Sequence, residues 1–121
     1  MNKEHIVKEN KDFSRIIKQG KYAKNSTMVI YEMPNKVGTY RFGFSVGKKL
    51  GNAVVRNKIK RQLRNIVYKY KKNYQKSMDY IIIVRNSYIE FDFNEVENFY
   101  IELMKKLDTT YKGDIHEEKE S

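Results

Sequence analysis

Over residues 52–74 the apolar side chains return on one side of a helix. At 100° per residue, Val55, Ile59, Leu63, Ile66, Val67, Tyr70 and Tyr74 fall within an arc of about 120°, the width of a face that lies on a core. A helix of this length has to be buried along one side, so the rest of the chain must supply a surface for it. Its other side is loaded differently. The nine residues from Arg56 to Arg64, RNKIKRQLR, hold five cations and no acid. Asn57, Lys60, Arg61, Arg64, Lys71 and Lys72 lie beside or opposite the apolar arc, and Arg56 lies at its edge. One side packs while the other presents positive charge. Asn52 is placed to cap the helix, which the pattern extends to about Tyr74.

The surface under this helix reads as a sheet. DYIIIVR (Asp79 to Arg85) is a continuous apolar run, as in a strand buried on both faces. Thr27 to Met33 and Thr39 to Val46 are rich in β-branched and aromatic residues and are separated by the turn-like PNKVG, which predicts a hairpin. Tyr22 and Ala23 add a short edge strand. In the second hairpin strand Phe42, Phe44 and Val46 share a core face, and Arg41, Gly43 and Ser45 share a small, polar one. Two more helices frame the sheet. Asn10 is read as the cap of a short one with Phe13, Ile16 and Ile17 on its inner side, stopped by Gly20. Asp92, with Glu95 three positions on, caps the last one, with inner stripe Val96, Phe99, Tyr100, Leu103 and Leu107 and with Lys105 and Lys106 at its negative end. The order is α-β-β-β-α-β-α: an α+β, two-layer sandwich with a central sheet of about four strands. One domain over residues 1–121 is expected, with an ordered core at about 5–108, a frayed arm over the first eight residues and a disordered tail over 109–121.

Charge then restricts function. The formal net charge is +10, yet from Met33 to Met78 there are thirteen Lys or Arg and not one Asp or Glu. Such a band attracts a polyanion through phosphate contacts that release counterions. Lys48 and Lys49 precede the helix, whose N-terminal end adds unpaired N–H groups and a positive dipole, while Asn52 and Asn57 can donate or accept hydrogen bonds without adding charge, which suits contacts to sugars, bases or phosphate-bound water. Arginine adds forked hydrogen bonds to phosphate. A DNA reader usually presents two short helices joined by a tight turn, whereas here one long helix stands between strands. Single-stranded RNA is met by a groove with aromatic rings. Phe13, Tyr31 and the small Ser45 either line such a groove between the first helix and the sheet or belong to ordinary core packing.

Other classes fall away. The chain has no cysteine, and its two histidines, His5 and His116, lie near opposite ends, so no zinc or His-based catalytic pattern is present. With no apolar run long enough to span a bilayer and no leader-like N-terminal stretch, a soluble cytoplasmic protein is expected, without a membrane or small-molecule substrate.

Leu50, Ala53, Arg56, Asn57, Lys58, Ile59, Lys60, Arg61, Leu63 and Arg64 stand in a spacing that resembles the motif of the bacterial ribonuclease P protein family. KDFSRIIKQG, RFGFSVGKKLGNAVVRNKIKRQLR and DYIIIVR resemble the same family in the same order, over roughly residues 5 to 107. The resemblance implies the small auxiliary subunit of a tRNA-processing endoribonuclease that removes the 5′ leader from precursor tRNA. It implies a catalytic RNA partner that holds the active site and its magnesium ions, so that this chain carries no catalytic residue, metal ligand or cofactor of its own. Lys48, Lys49, Asn52, Arg56, Asn57, Lys58, Lys60, Arg61 and Arg64 are then the RNA-binding element. Phe13, Ile17, Tyr31 and Ser45 fall on positions of the leader groove, with Arg56, Asn57 and Lys60 serving both surfaces. It further implies a left-handed β-α-β crossover, where general topology would give a right-handed one. Ile17 stands where the family often has a second aromatic, and Glu4 and Glu9 make the N-terminal arm less basic than in the family.

Two other functions are compatible with a basic α+β chain. A general RNA-binding or ribosome-associated protein needs the cations but no leader groove. A self-sufficient metal nuclease would need acids such as Asp12, Asp92 or Glu95 to cluster, and each has a helix-end role instead.

Overall fold

The computed structural model describes residues 3–108, and the tail expected over 109–121 lies outside the described residues. The elements are α1 (Asn10–Gln19), β1 (Lys21–Lys24), β2 (Met28–Pro34), β3 (Arg41–Ser45), α2 (Ala53–Lys69), β4 (Met78–Val84) and α3 (Phe93–Leu107), with a short 3₁₀ turn at Lys48–Leu50. Their order is the expected one, and the four strands form one mixed sheet in the order β1-β2-β4-β3. Strands β3 and β4, joined through α2, are parallel neighbours, and the other pairs are antiparallel.

That order corrects the hairpin. β4 lies between β2 and β3, pairing Met28–Pro34 on one side and Arg41–Ser45 on the other. The turn signal PNKVG is local, whereas the IIIV run needs neighbours on both sides, and burial of the apolar run decides the pairing. The loop is held to its new place by Asn35, whose Nδ2 donates to the Thr39 carbonyl at 3.1 Å and to Asp79 Oδ1 at 2.7 Å.

The sheet's two faces are covered unequally. Met28, Ile30, Phe42, Tyr80, Ile82 and Val84 pack with Ile59, Leu63, Ile66 and Val67 of α2 and with Val96, Tyr100, Leu103 and Leu107 of α3, which is the sandwich. The opposite face is partly covered by α1, where Ile16 joins Val7 and Ile81 in a smaller cluster. Burial of the four α2 side chains contributes about 1.5–3 kcal/mol each. Four like-charged pairs at i,i+3 or i,i+4 (Arg56/Lys60, Lys60/Arg64, Lys58/Arg61, Arg61/Arg64) cost about 0.2–0.5 kcal/mol apiece. Packing wins by several-fold, so the helix tolerates its own charge.

Three further boundaries differ from the sequence reading. The arm is not frayed where it is described: Val7 is buried, its N–H donates to the Phe42 carbonyl at 2.9 Å, and Ile6 bridges Phe42. Glu9, not Asn10, is the N-cap of α1, because Phe13 N–H bonds the Glu9 carbonyl at 3.2 Å and the helix starts one residue earlier. α2 ends at Lys69 rather than near Tyr74. There the Tyr74 hydroxyl turns back to donate to the Val67 carbonyl at 2.6 Å, alongside the Tyr70 N–H that the same carbonyl accepts at 3.3 Å. The caps at Asn52 and Asp92 are as read: Asn52 Oδ1 accepts from Val55 N–H at 3.0 Å, and Asp92 with Glu95 forms a capping box. No helix among the described residues is long and apolar enough to cross a membrane.

Glu32 is a buried acid on the core face of β2, and its Oε2 has no hydrogen-bond partner among the described residues. Burial raises its carboxyl above the usual range, against the pull of Lys21. A carboxyl whose folded-state pKa exceeds its unfolded value favours the native state when protonated, and that contribution is lost as pH rises through the interval. Glu32→Met is therefore expected to stabilise the protein by about 1 kcal/mol at pH 7, and to lose most of the gain at about pH 3, where both states are neutral. Thermal melts at the two pH values check this. An equal gain at both would mean that charge is not the cause.

Candidate nucleic-acid interface

The basic element begins where β3 leaves the sheet. The turn Lys48–Leu50 buries Leu50 and leaves Lys48 and Lys49 exposed. Gly51 follows with φ 146°, and a Cβ there would meet Val55 at 2.9 Å, so glycine is what lets the chain enter α2 directly. Arg56 is half-buried and its Nε donates to the Gly51 carbonyl at 3.2 Å, which fixes its stem against the turn. Asn57, Lys58 and Arg61 are exposed, whereas Lys60 and Arg64 are half-buried. Among the described residues, none of Lys48, Lys49, Arg56, Lys58, Lys60, Arg61 and Arg64 forms an ion pair with a carboxylate.

Two members of the acid-free band are neutralised by acids from outside it. Arg41 grips Asp79 through two hydrogen bonds of 2.8 and 2.7 Å, and Lys69 Nζ lies 2.7 Å from Glu97 Oε2. Both partners are deeply buried, Asp79 at 1% and Glu97 at 2% exposed. These cations hold the fold and are not part of the free face.

Between α1 and the sheet lies a shallow groove of about 390 Å³, lined by Ile17 and Tyr31 together with Lys18, Tyr22, Lys24, Val29 and Arg85. Strand register builds it. Tyr22, Tyr31, Ile81 and Gly43 form one row across the sheet, and Lys24, Val29, Ile83 and Ser45 form the next. The Tyr22 and Tyr31 rings are 5.4 Å apart, and Ile17 is 38% exposed above them. Phe13 is half-buried, and a Cβ on Gly43 would meet its ring at 2.6 Å, so the missing side chain at Gly43 is the seat of Phe13. Phe13 and Tyr31 both pack on the small Ile16–Ile81 cluster and both keep an open side.

The structure thus joins Ile17 and Tyr31 in one groove, sets Phe13 beside it and puts Ser45 exposed on the neighbouring row. Arg56, Asn57 and Lys60 do not line it; they stand on α2, connected to Ser45 by the short turn that follows β3. Tyr22, Lys18, Lys24 and Arg85 were missed. The i,i+2 spacing of Tyr22 and Lys24 on an edge strand was the available signal, but only the pairing Tyr22 with Tyr31 shows that the two rings meet.

Asp12 pairs with Arg15 at 3.2 Å, and Asp92 and Glu95 serve their capping box. Among the described residues no group of three or more His, Cys, Asp or Glu is arranged to hold a metal ion.

Comparison with known proteins follows the same line. The ribonuclease P family model matches residues 1–108. The ribonuclease P protein component of Streptococcus gordonii is 38% identical over 120 residues, covering 99% of this chain and 99% of that protein. A solved structure of the Staphylococcus aureus RNase P protein is similar with a TM-score of 0.82 at 35% identity, over 89% of this chain and 98% of that one. The RNase P protein from Thermotoga maritima is similar with a TM-score of 0.74 at 31% identity, over 83% and 94% of the two chains.

Proposed function

This chain belongs to the ribonuclease P protein family, a component of a tRNA-processing ribonucleoprotein, and on that premise we propose that its α2 face binds the catalytic RNA while its α1 groove binds the single-stranded 5′ leader. The observation that carries this reading is the outward side of α2, where five cations within nine residues stand without a carboxylate partner among the described residues. Lys48, Lys49, Asn52, Arg56, Asn57, Lys58, Lys60, Arg61 and Arg64 take phosphates and sugars of the RNA. Arg56, whose Nε is held by the Gly51 carbonyl, offers a positioned guanidinium group.

In the groove, Ile17, Tyr31 and Phe13 give the leader an apolar floor with a ring edge, and Ser45 a small polar contact. Lys18, Lys24 and Arg85 add cations for its phosphates. Arg56, Asn57 and Lys60, which do not line the groove, are assigned to it as well by the family resemblance, standing on the helix that follows the turn from Ser45. Phosphodiester hydrolysis and the magnesium ions are assigned to the RNA partner; the protein neutralises charge and positions substrate. A general RNA-binding protein outside any enzyme is not favoured, since family membership covers the described fold.

Reconstitution tests the assignment. The protein, added to the catalytic RNA at low magnesium, is expected to tighten binding and speed cleavage of precursor tRNA, more for a leader of several nucleotides than for a leader of one. Equal effects on both substrates would remove the groove from the account, and no effect on either would remove the whole assignment.

A further inference from the structure

A second concave surface lies on the far part of α2 and shares no lining residue with the groove. It has a volume of about 460 Å³, within the range of sites that hold small ligands, and is walled by His5, Tyr40, Arg61, Arg64, Tyr68 and Lys71 among others. Its first wall is aromatic and fixed. His5 and Tyr40 stack with centroids 4.1 Å apart and planes 11° apart, and His5 Nδ1 lies 2.9 Å from the Tyr40 carbonyl and 3.2 Å from Thr39 Oγ1. Its second wall is cationic. Arg61 and Arg64 come from consecutive turns of α2, and Lys71 arrives from the turn after it. Among the described residues no acid lines the pocket, and Glu4 lies 3.7 Å from His5 Nε2. At the mouth stands Tyr68, 54% exposed, with Lys71 Nζ 2.8 Å from its hydroxyl and 4.1 Å from its ring centre.

A solvent-exposed ring next to three cations without a carboxylate is the pairing that single-stranded RNA recognises: phosphate meets the guanidinium fork, and a base lies on the ring. We infer that this pocket holds one unpaired nucleotide, with its phosphate among Arg61, Arg64 and Lys71 and its base against Tyr68. The inference rests on the RNA-binding reading above and extends it beyond the RNKIKRQLR motif to Tyr68, Lys71 and the His5–Tyr40 wall. The nucleotide comes either from the catalytic RNA or from the tRNA part of the substrate, since the leader groove is elsewhere.

The test measures Kd of the full chain for catalytic RNA, and Kd of the holoenzyme for precursor tRNA, with wild type, Tyr68→Ala, Tyr68→Phe and Lys71→Ala. Tyr68→Ala is expected to weaken one of the two by about five- to a hundredfold, Tyr68→Phe to stay near wild type, and Lys71→Ala to lower the salt slope of that same equilibrium by about one. The equilibrium affected identifies the RNA that supplies the nucleotide. Because Tyr68 is exposed, its variants keep the fold, which a matching melting temperature verifies. Wild-type binding with Tyr68→Ala unchanged in both equilibria overturns the pocket and leaves the RNA-binding reading intact; a Tyr68→Phe loss equal to that of Tyr68→Ala overturns the stacking. If wild type itself does not bind the RNA, the parent reading falls and the pocket falls with it.

Discussion

Replacing both Arg61 and Arg64 by alanine is expected to weaken catalytic-RNA binding by about a hundredfold or more, taking each charged hydrogen bond at about 1.5–3 kcal/mol. The slope of log K against log salt should fall by about 1.5–2, one lost phosphate contact per residue. The free protein should move the other way. Neither side chain has a carboxylate partner among the described residues, and the substitution removes the repulsive pairs Lys60/Arg64, Lys58/Arg61 and Arg61/Arg64. Alanine is also the best helix former, so a gain of about 0.5–1 kcal/mol in urea unfolding is expected. Opposite signs for binding and stability would separate a functional face from a structural one. Sulfate adds a third measurement: it should raise the melting temperature of the wild type more than that of the variant, since an anion that binds only the folded face stabilises it. An unchanged salt slope in a folded variant would mean that both guanidinium groups face solvent in the complex.

The sequence made this helix legible because its signal is local. A 3.6-residue period, an Asn cap and an unbroken run of cations all lie within one element, and Ile59, Leu63, Ile66 and Val67 are buried as the arc requires. What was not legible is what depends on partners distant in the chain. PNKVG looks like a hairpin turn from its own residues; only the competition of β4 for both neighbours opens it. β1, with the sequence KYAK, is too polar to flank IIIV, which leaves β2 and β3 as the flanking pair. Likewise Tyr70 and Tyr74 keep helical phase in the sequence, yet α2 stops before them because Tyr74 reaches its Val67 carbonyl and the Tyr100 hydroxyl, each at 2.6 Å. The candidate groove divides the same way. Phe13, Ile17 and Tyr31 could be named from composition and resemblance, whereas Tyr22 and Lys24 enter through register, and Arg85 through the turn that follows β4, where its N–H bonds the Thr27 carbonyl.

Asp79→Ala is expected to be the most destabilising of these substitutions, at about 3–5 kcal/mol, because it leaves a largely buried guanidinium without its counter-charge. Asp79 sits in β4, fully enclosed, and ties three parts of the chain: Arg41 of β3 by the forked pair, Arg15 of α1 at 3.9 Å, and Asn35 of the β2–β3 connection at 2.7 Å. The hydrogen bond to Asp79 holds the Arg41 guanidinium above its already high pKa, so the arginine keeps its charge at alkaline pH. Arg15 is about half exposed, and its longer contact contributes little beside the other two. Urea unfolding should show the midpoint falling at constant m-value. The double replacement Asp79→Leu with Arg41→Met removes both charges together and should recover much of the loss, since a buried ion pair is often matched by apolar packing of similar volume. Recovery of stability need not bring recovery of leader binding. Asp79 meets α1 through Arg15, two residues after Phe13 in the same helix. A stable double variant with an unchanged preference for long-leader substrate would show that the apolar Ile16–Ile81 contact alone is enough to place α1. A stable variant that has lost the preference would assign the alignment of the groove to this buried ion pair.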